Sequence, residues 1–309
     1  MTPMEQRVLA KPFLKWAGGK TQLLGDLSER LPDQIKRSGV IGTYVEPFVG
    51  GGALFFYLRN ELIIERACLI DNNRELMVGY TVVQREPEML IEHLQRLERE
   101  YLLLDSEARK SYYYRARELY NRQMSEFDYC SFNEDWIVRA SLLLFLNKTC
   151  FNGLFRQNRL GEFNVPHGSY KNPTICDPAI ILAASKALAG VKLICDDFLG
   201  SRPYVDSETL VYFDPPYRPL TETSRFTNYS KNGFTDEDQI RLADYFRELD
   251  AKGAYLMLSN SDPKVTNPDD CFFDDLYRGF RIERIYAKRS INCNGNARGE
   301  ITELIIRNY

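Results

Sequence analysis

The sequence is poor in the residues that build metal sites and nucleophilic triads. Only two histidines occur, His93 and His167, and the seven cysteines include no Cys-x-x-Cys pair. A zinc site or a Ser-His-Asp triad is therefore not expected, and the scattered cysteines are typical of reduced thiols in a cytoplasmic protein. No apolar run is long enough to cross a membrane, and residues 1–11 lack the pattern of a signal peptide. We expect a cytoplasmic protein with no membrane segment and no metal.

A strong excess of one charge is also missing, since the formal net charge is −3. That value does not indicate a general affinity for nucleic acid. The segment 148–171 differs from the rest because basic residues outnumber acidic ones there. These are Lys148, Arg156, Arg159 and Lys171, against Glu162. Taken alone, this local excess is equally typical of a solvated loop.

Short apolar runs bounded by Gly, Pro, Asp or Asn are typical of buried strands in an α/β sheet. They lie at 43–47, 67–71, 191–195, 209–213 and 254–258. A helical pattern covers 237–250, and the segments 281–288 and 301–307 are interpreted as a closing pair of strands joined by 292–299. This organisation predicts an open, doubly wound α/β sheet.

The pattern changes between residues 74 and 176. Helical patterns at 86–104, 107–124 and 134–147 follow one another without a buried strand, and a polar stretch rich in Gly and Asn comes after them. We interpret 74–176 as a mainly helical insertion. The predicted organisation is one domain formed by 1–73 and 177–309, and a second domain formed by 74–176.

The strand predicted at 209–213 runs into Asp214-Pro215-Pro216-Tyr217. Two consecutive prolines end a sheet ladder and leave a stiff loop at the carboxyl end of the strand, where ligands bind in open α/β sheets. The Asp214 carboxylate and the Pro215 carbonyl suit the two hydrogens of an exocyclic aromatic amine, and the Tyr217 ring suits stacking on its base. Such a loop favours alkylation of the amine, because it aims the nitrogen lone pair and stabilises the developing positive charge.

A second loop follows the strand at 43–47 and contains Gly50-Gly51-Gly52 before a helix predicted to begin near Ala53. Glycines let the backbone approach a ligand closely, and a helix N-terminus offers free N–H groups. The spacing is not the dinucleotide fingerprint GxGxxG. The next strand ends in Asp71, at a distance typical of an acid that accepts hydrogen bonds from ribose hydroxyls. A tight turn and a simple helix cap remain the alternatives.

The segment Trp16-Ala-Gly-Gly-Lys20-Thr superficially resembles a P-loop. The spacing GxxxxGK[ST] would need Gly at Leu14, and no strand precedes the segment, so ATP binding is rejected. A core anchor at Trp16 and a solvated charge at Lys20 are the alternatives to a ligand role.

Acidic residues end several of the predicted strands. They are Glu46, Asp71, Asp197 and Asp214. Their expected spread along the edge of the sheet favours separate roles over a shared metal site.

Together these motifs resemble the alpha-group, Dam-type DNA adenine-N6 methyltransferases, most closely the methylase of the DpnII system. The resemblance is carried by 13–20, 46–53, 151–156, 162–166 and 214–217, and it extends over nearly the whole chain. It implies a Rossmann-like, seven-stranded methyltransferase sheet with an inserted helical DNA-recognition domain. It also implies S-adenosyl-L-methionine as cofactor, double-stranded DNA as substrate, and methylation of a flipped adenine within GATC.

The resemblance further assigns roles to individual residues. Implied cofactor contacts are Trp16, Lys20, Phe48, Gly50, Gly51, Gly52, Asp71, Asp197, Phe198 and Asp214. Implied catalytic residues are Asp214, Pro215, Pro216 and Tyr217. Among the cofactor contacts, Asp197 and Phe198 are expected to hold the adenine ring, and the glycines to approach the methionine part.

For DNA, the resemblance implies that 148–171 forms a hairpin that enters the major groove. Arg156 is the implied reader of a guanine, whose O6 and N7 suit the guanidinium fork. Further implied DNA contacts are Phe151 and Asn152 at the flipped-base step, the apolar Leu154 and Pro166, Asn158, and the phosphate-binding Lys148 and Lys171. Phe151 stands where relatives often carry Tyr, and Ser169 where some carry Arg, so one phosphate contact is expected to be lost.

Several alternatives are left open. A methyltransferase acting on RNA adenine, on cytosine N4 or on protein glutamine would also use an Asp-Pro-Pro-Tyr-like loop to hold an amine. Cytosine-N4 enzymes usually begin this motif with Ser, and protein-glutamine enzymes with Asn. A non-catalytic DNA-binding module would be expected to have lost Asp214 or the glycines. The segment 218–234 is interpreted as a lid because of its length, and a cognate restriction endonuclease is left open as a partner.

Overall fold

The computed structural model describes residues 8–218, 234–287 and 301–309. Seven strands form one sheet in the order β3-β2-β1-β4-β5-β7-β6. The strands are β1 Val40–Glu46, β2 Ile63–Asp71, β3 Lys192–Cys195, β4 Thr209–Phe213, β5 Tyr255–Ser261, β6 Arg281–Ala287 and β7 Ile301–Arg307. Each segment predicted as a strand overlaps one of these, and the prediction of an open α/β sheet is confirmed.

Ten α-helices are found in the described residues. They are α1 Leu24–Glu29, α2 Asp33–Ser38, α3 Ala53–Glu61, α4 Arg74–Arg85, α5 Pro87–Leu102, α6 Ser106–Gln123, α7 Glu134–Thr149, α8 Pro178–Leu188, α9 Asp236–Ala251 and α10 Phe272–Leu276. The helices predicted at 86–104, 107–124, 134–147 and 237–250 correspond to α5, α6, α7 and α9. Most of the segment predicted as a lid, 219–233, and the predicted connection at 292–299 lie outside the described residues.

The chain divides into two compact units. The first comprises 1–19, 50–60 and 73–195, and the second comprises 20–49, 61–72 and 196–309. The boundaries that the sequence predicts for a recognition domain, 74 and 176, remain a prediction.

The first unit is built around α7, which packs against α4, α5 and α6. Helix α4 begins at a cap that the sequence reading missed, because the Asn73 side chain accepts hydrogen bonds from the backbone N–H groups of Glu75 and Leu76, at 3.1 Å each. The Arg139 guanidinium of α7 forms two hydrogen bonds of 2.7 Å with the Glu75 carboxylate. Both side chains are about 1% exposed, so this paired charge ties α7 to α4 inside the helical core.

In the second unit, β1 is parallel to β2 and β4, and β4 is parallel to β5. Strand β7 is antiparallel to both β5 and β6. The chain leaves β1 toward β2 on one side and leaves β4 toward β5 on the other. The carboxyl ends of β1 and β4 therefore form a topological switch point, which is where open α/β sheets bind ligands.

Candidate active site

The loop Asp214-Pro215-Pro216-Tyr217 follows β4 at this switch point, as the sequence predicts. The Asp214 carboxylate lies 2.9 Å from the Lys20 ammonium and accepts a 3.1 Å hydrogen bond from the Ser259 hydroxyl of β5. The side chains of Lys20 and Asp214 are 8% and 19% exposed. Lys20 is thus a buried partner of the loop, and its interpretation as a solvated charge is wrong.

Burial raises the pKa of the Asp214 carboxyl above its usual value, although Lys20 and Ser259 act in the opposite direction. Ser259 also forms a 2.8 Å hydrogen bond with the Tyr212 hydroxyl, so its own orientation is fixed within the sheet. The carboxylate is therefore held in one place by a cation and a neutral donor.

The Tyr217 ring is fixed at two points. Its hydroxyl donates a 2.6 Å hydrogen bond to the Glu303 carboxylate of β7, and the Lys20 ammonium lies 4.3 Å from the ring centroid. Burial raises the pKa of the Tyr217 phenol well above its usual value. The hydroxyl therefore remains a donor at every physiological pH.

The two proline carbonyls of the loop differ in their hydrogen bonding. The Pro216 carbonyl accepts a 3.2 Å hydrogen bond from the Gln239 amide of α9, which in turn accepts one from Asn260 at 3.2 Å. Within the described residues, the Pro215 carbonyl accepts no hydrogen bond. Among the described residues, the loop thus has a backbone acceptor without a donor next to Asp214, and the two acceptors suit the two hydrogens of an amine.

Arg218 anchors the end of the loop. Its guanidinium forms a bidentate pair with Asp236 at 2.8 and 3.0 Å and a 2.8 Å bond with Asp270. It also lies over the Phe272 ring at 4.3 Å. Both carboxylates neutralise this arginine, so it serves to hold the backbone after Tyr217.

Other predicted cofactor residues of the second unit lie at or beyond strand ends. Asp71 is the last residue of β2. Phe48 follows β1, and its ring lies 5.6 Å from that of the buried Phe198. The Asp197 carboxylate accepts a 2.7 Å bond from the Leu199 N–H and is ion-paired with Arg241 of α9. The sequence reading did not anticipate Arg241, whose guanidinium also lies 4.8 Å from the Phe198 ring.

In the first unit, the glycine turn is shaped by its packing against Trp16 and Tyr80. Gly50 and Gly52 have φ values of +47° and +67°, which strongly favour glycine. A Cβ atom on Gly50 would lie 3.0 Å from Trp16, and one on Gly52 would lie 2.5 Å from the Tyr80 hydroxyl. That hydroxyl also donates a 3.0 Å bond to the Gly50 carbonyl. A tight turn, the plainer alternative, thus accounts for two of the glycines, and their contact with a cofactor remains a prediction.

Trp16 itself is half-buried and stacks on Phe155, with ring centroids 5.1 Å apart and planes inclined by 23°. Phe155 lies between Leu154 and Arg156 in the segment predicted to contact DNA. The two motifs that the sequence places far apart are therefore joined by an aromatic contact.

The segment 150–167 folds back on itself through antiparallel bridges, Cys150 with His167 and Gln157 with Phe163. The return arm is attached to α6, since the Tyr113 hydroxyl donates to the Val165 carbonyl at 2.8 Å and the Asn121 side chain bonds both backbone groups of Phe163. The predicted hairpin geometry is thus present and rests on a helix.

Most of the predicted DNA-contacting side chains of this hairpin are exposed. Phe151 is 52% exposed and Leu154 36%, and Asn152, Arg156 and Pro166 are also exposed. Asn152 has a φ of +56°, the only positive φ outside glycine in the described residues. This strained conformation is supported by Asn147, whose amide donates a 3.0 Å bond to the neighbouring Gly153 carbonyl.

Three other predicted DNA residues differ in environment. The Asn158 side chain closes the hairpin turn by bonding the N–H groups of Leu160 and Glu162 at 2.9 and 3.0 Å. Desolvation lowers the pKa of the Lys148 ammonium below its usual value, whereas Lys171 is exposed. Asn158 therefore has a structural use in the turn, and the DNA contacts of all three remain predictions.

The sequence reading missed the residues that support the loop from outside it: Ser259, Glu303, Gln239 and Asn260. The one available signal was the change from apolar to polar residues within β5, where Leu258 is followed by Ser259, Asn260 and Ser261. In the described part of the chain, no helix has the length and apolarity to span a membrane. No cluster of metal-ligating side chains occurs there either.

Comparison with known proteins assigns this architecture to a family. Residues 16–291 match the family model of the D12 class N6 adenine-specific DNA methyltransferases. The Type II methyltransferase M.MjaIII of Methanocaldococcus jannaschii is 50% identical over 97% of this chain and 99% of its own length. The Type II methyltransferase M1.LlaDCHI of Lactococcus lactis subsp. cremoris is 38% identical over 99% of this chain and 98% of its own length. The DNA adenine methylase of Escherichia coli K12 is 33% identical over 96% of this chain and 94% of its own length.

Proposed function

The chain belongs to the D12 class of N6 adenine-specific DNA methyltransferases, and we propose that it transfers the methyl group of S-adenosyl-L-methionine to the N6 amine of a flipped adenine in GATC. The observation that carries the proposal is the pair of acceptors in the Asp214-Pro-Pro-Tyr217 loop. The Asp214 carboxylate is fixed by Lys20 and Ser259, and the Pro215 carbonyl beside it has no hydrogen bond within the described residues.

These two acceptors explain how a poor nucleophile reacts. The lone pair of an aromatic amine is delocalised into the ring, and two hydrogen bonds that hold its hydrogens turn the nitrogen toward tetrahedral geometry. The Asp214 carboxylate then stabilises the positive charge that builds on nitrogen more strongly in the transition state than in the ground state. Tyr217 supplies a ring on which the extruded base stacks.

The side chains at the strand ends fit S-adenosyl-L-methionine, which when bound supplies an electrophilic methyl group. Asp71, the last residue of β2, would accept hydrogen bonds from ribose hydroxyls. Phe48, Phe198 and the Asp197 carboxylate offer two aromatic rings and an acceptor for an adenine. Trp16, Lys20 and the glycines Gly50, Gly51 and Gly52 are carried over from the family resemblance as further cofactor contacts.

For the DNA, we propose that the hairpin at 150–167 enters the major groove. The exposed Arg156 would read a guanine through O6 and N7, and Phe151 with Asn152 would occupy the step left by the flipped adenine. Leu154 and Pro166 would contact bases, Asn158 is a further proposed contact, and Lys148 and Lys171 would bind phosphates. A cognate restriction endonuclease is part of this proposal and is supported by the Type II names of two relatives. Closeness to the DpnII-system methylase rests on the sequence resemblance alone.

The recognition site is tested by incubating plasmid DNA with the enzyme and tritiated S-adenosyl-L-methionine. The DNA is then cut with one nuclease that GATC methylation blocks and another that requires it. We expect tritium in the DNA, protection from the first nuclease and cleavage by the second. Tritium incorporation without these two changes would refute GATC and leave the adenine methyltransferase assignment standing.

A further inference from the structure

We propose that Glu303 is a positioning residue that orients Tyr217 for capture of the target base. The inference rests on the proposed function, in which Tyr217 stacks on a flipped adenine. Glu303 is distant from the motif in the sequence, and it acts on the ring through the 2.6 Å hydrogen bond from the Tyr217 hydroxyl.

The backbone of Glu303 is held in the sheet. It lies in β7, where it pairs with Ser261 of β5 on one side and with Ile285 of β6 on the other. A hydrogen bond at the hydroxyl fixes the far end of the side chain and restrains its movement about χ1, and the Lys20 ammonium, 4.3 Å from the ring centroid, favours one orientation of the ring plane. The sheet thereby sets the position of the ring on which a base can stack.

A carboxylate is an unusual choice at position 303 for a residue with a purely structural role. Glu303 is half-buried and precedes three fully buried residues of β7, Leu304, Ile305 and Ile306. Partial burial of a carboxylate is costly unless it is compensated. In the described part of the chain Glu303 forms no ion pair, and its side chain accepts one hydrogen bond, from Tyr217. An apolar residue here would avoid that cost, so the carboxylate is best explained by what it does to Tyr217.

Glu303 and Ser259 contact different residues of the loop. Ser259 and Lys20 hold the Asp214 carboxylate, whereas Glu303 holds the Tyr217 hydroxyl. Loss of Glu303 therefore leaves the contacts of Asp214 with Lys20 and Ser259 in place. The defect should appear in capture of the base and not in methyl transfer to a base that is already captured.

The test compares Glu303→Leu and Glu303→Gln on two duplexes, one with the target adenine paired and one with an abasic site opposite it. An unpaired adenine is extruded at lower cost. On the paired duplex, we expect Glu303→Leu to lower the single-turnover rate roughly tenfold, and Glu303→Gln, which keeps an acceptor, to lower it less. On the abasic duplex, Glu303→Leu should recover the wild-type rate, and its Kd for DNA should be unchanged.

Two controls make the result specific. In a Tyr217→Phe background, Glu303→Leu should cause no further loss, because the hydrogen bond is already absent. Glu65→Gln, at an exposed position of β2, should leave the rate unchanged. The inference is overturned if the loss persists on the abasic duplex or adds fully to that of Tyr217→Phe.

The inference and the proposed function fail in different ways. If Tyr217→Ala keeps the wild-type rate on the paired duplex, stacking by Tyr217 is wrong and the inference falls with it. If Tyr217→Ala loses the rate while Glu303→Leu keeps it, only the role of Glu303 is wrong. Far-ultraviolet circular dichroism of each variant identifies a loss of rate that comes from misfolding. If Glu303→Leu misfolds, the rates of Glu303→Gln, which has nearly the same shape as the wild-type side chain, are compared on the two duplexes instead.

Discussion

Replacing Asp214 with Asn should stabilise the fold while it removes methyl transfer. The carboxylate lies 2.9 Å from the Lys20 ammonium and is 19% exposed. Attraction to Lys20 is on the order of 5 kcal/mol at an effective dielectric constant of about 20, and desolvation of a carboxylate also costs several kcal/mol. The pKa of Asp214 is raised, with burial as the largest cause, which means that desolvation exceeds the attraction.

The direction of this pKa shift fixes the effect on stability. A carboxyl whose pKa is higher in the folded state than in the unfolded state stabilises the fold only while it is protonated. Its contribution is complete below the unfolded pKa of about 3.9 and is lost as the pH rises through the folded pKa. Asparagine retains the shape and an acceptor without the charge. We therefore expect Asp214→Asn to increase the free energy of unfolding at neutral pH by on the order of 1 kcal/mol.

Urea unfolding of the wild type and the variant, followed by circular dichroism at pH about 7.5 and at pH about 4, close to the unfolded pKa of an aspartate, measures this difference. The difference should shrink at the lower pH, because a carboxyl with a raised pKa binds its proton there more fully in the folded state than in the unfolded state. Asp269→Asn, at an exposed position, serves as the control and should change stability little. A variant less stable than the wild type at the higher pH, or a difference that does not depend on pH, would refute the reasoning.

Three further outcomes are expected. Ser259→Ala should lower the single-turnover methylation rate about tenfold at an unchanged Kd for DNA, because the Asp214 carboxylate loses its neutral donor; an unchanged rate contradicts this. Arg156→Ala should weaken discrimination at the guanine by about 1–3 kcal/mol, measured by competition between GATC and single-substituted duplexes. Gly52→Ala should cost about 2 kcal/mol in urea unfolding, because φ is +67° and a Cβ atom would lie 2.5 Å from the Tyr80 hydroxyl; Tyr80→Phe should relieve part of that loss.

Much of the fold could be predicted from the sequence because its signals are local. The buried strands are short apolar runs with clear ends, and two consecutive prolines force the strand before Asp214 to stop. The switch point then follows from the strand order, since the ligand site of an open sheet lies where the connections diverge. The cap of α4 at Asn73 is equally local. It was missed because only Asp71 was considered there, as a ribose acceptor with a helix cap as the alternative.

The support of the site could not be predicted, because it comes from residues distant in the chain. Ser259 and Glu303 contact the loop across 45 and 86 residues, and no spacing rule connects them with Asp214 or Tyr217. The same holds for Lys20, whose burial depends on the tertiary fold. A lysine after two glycines is equally compatible with solvent and with an ion pair, and only the position of Asp214 decides between them.

We propose that the Asp214-Pro-Pro-Tyr217 loop directs methyl transfer from S-adenosyl-L-methionine to the N6 amine of adenine, and mass spectrometry of nucleosides is the decisive test. A GATC duplex is incubated with S-adenosyl-L-methionine and either the wild type or Asp214→Asn, then digested to nucleosides and quantified. We expect N6-methyladenine from the wild type and none above background from the variant. Formation of N4-methylcytosine, or N6-methyladenine produced by the variant at the wild-type rate, would contradict it.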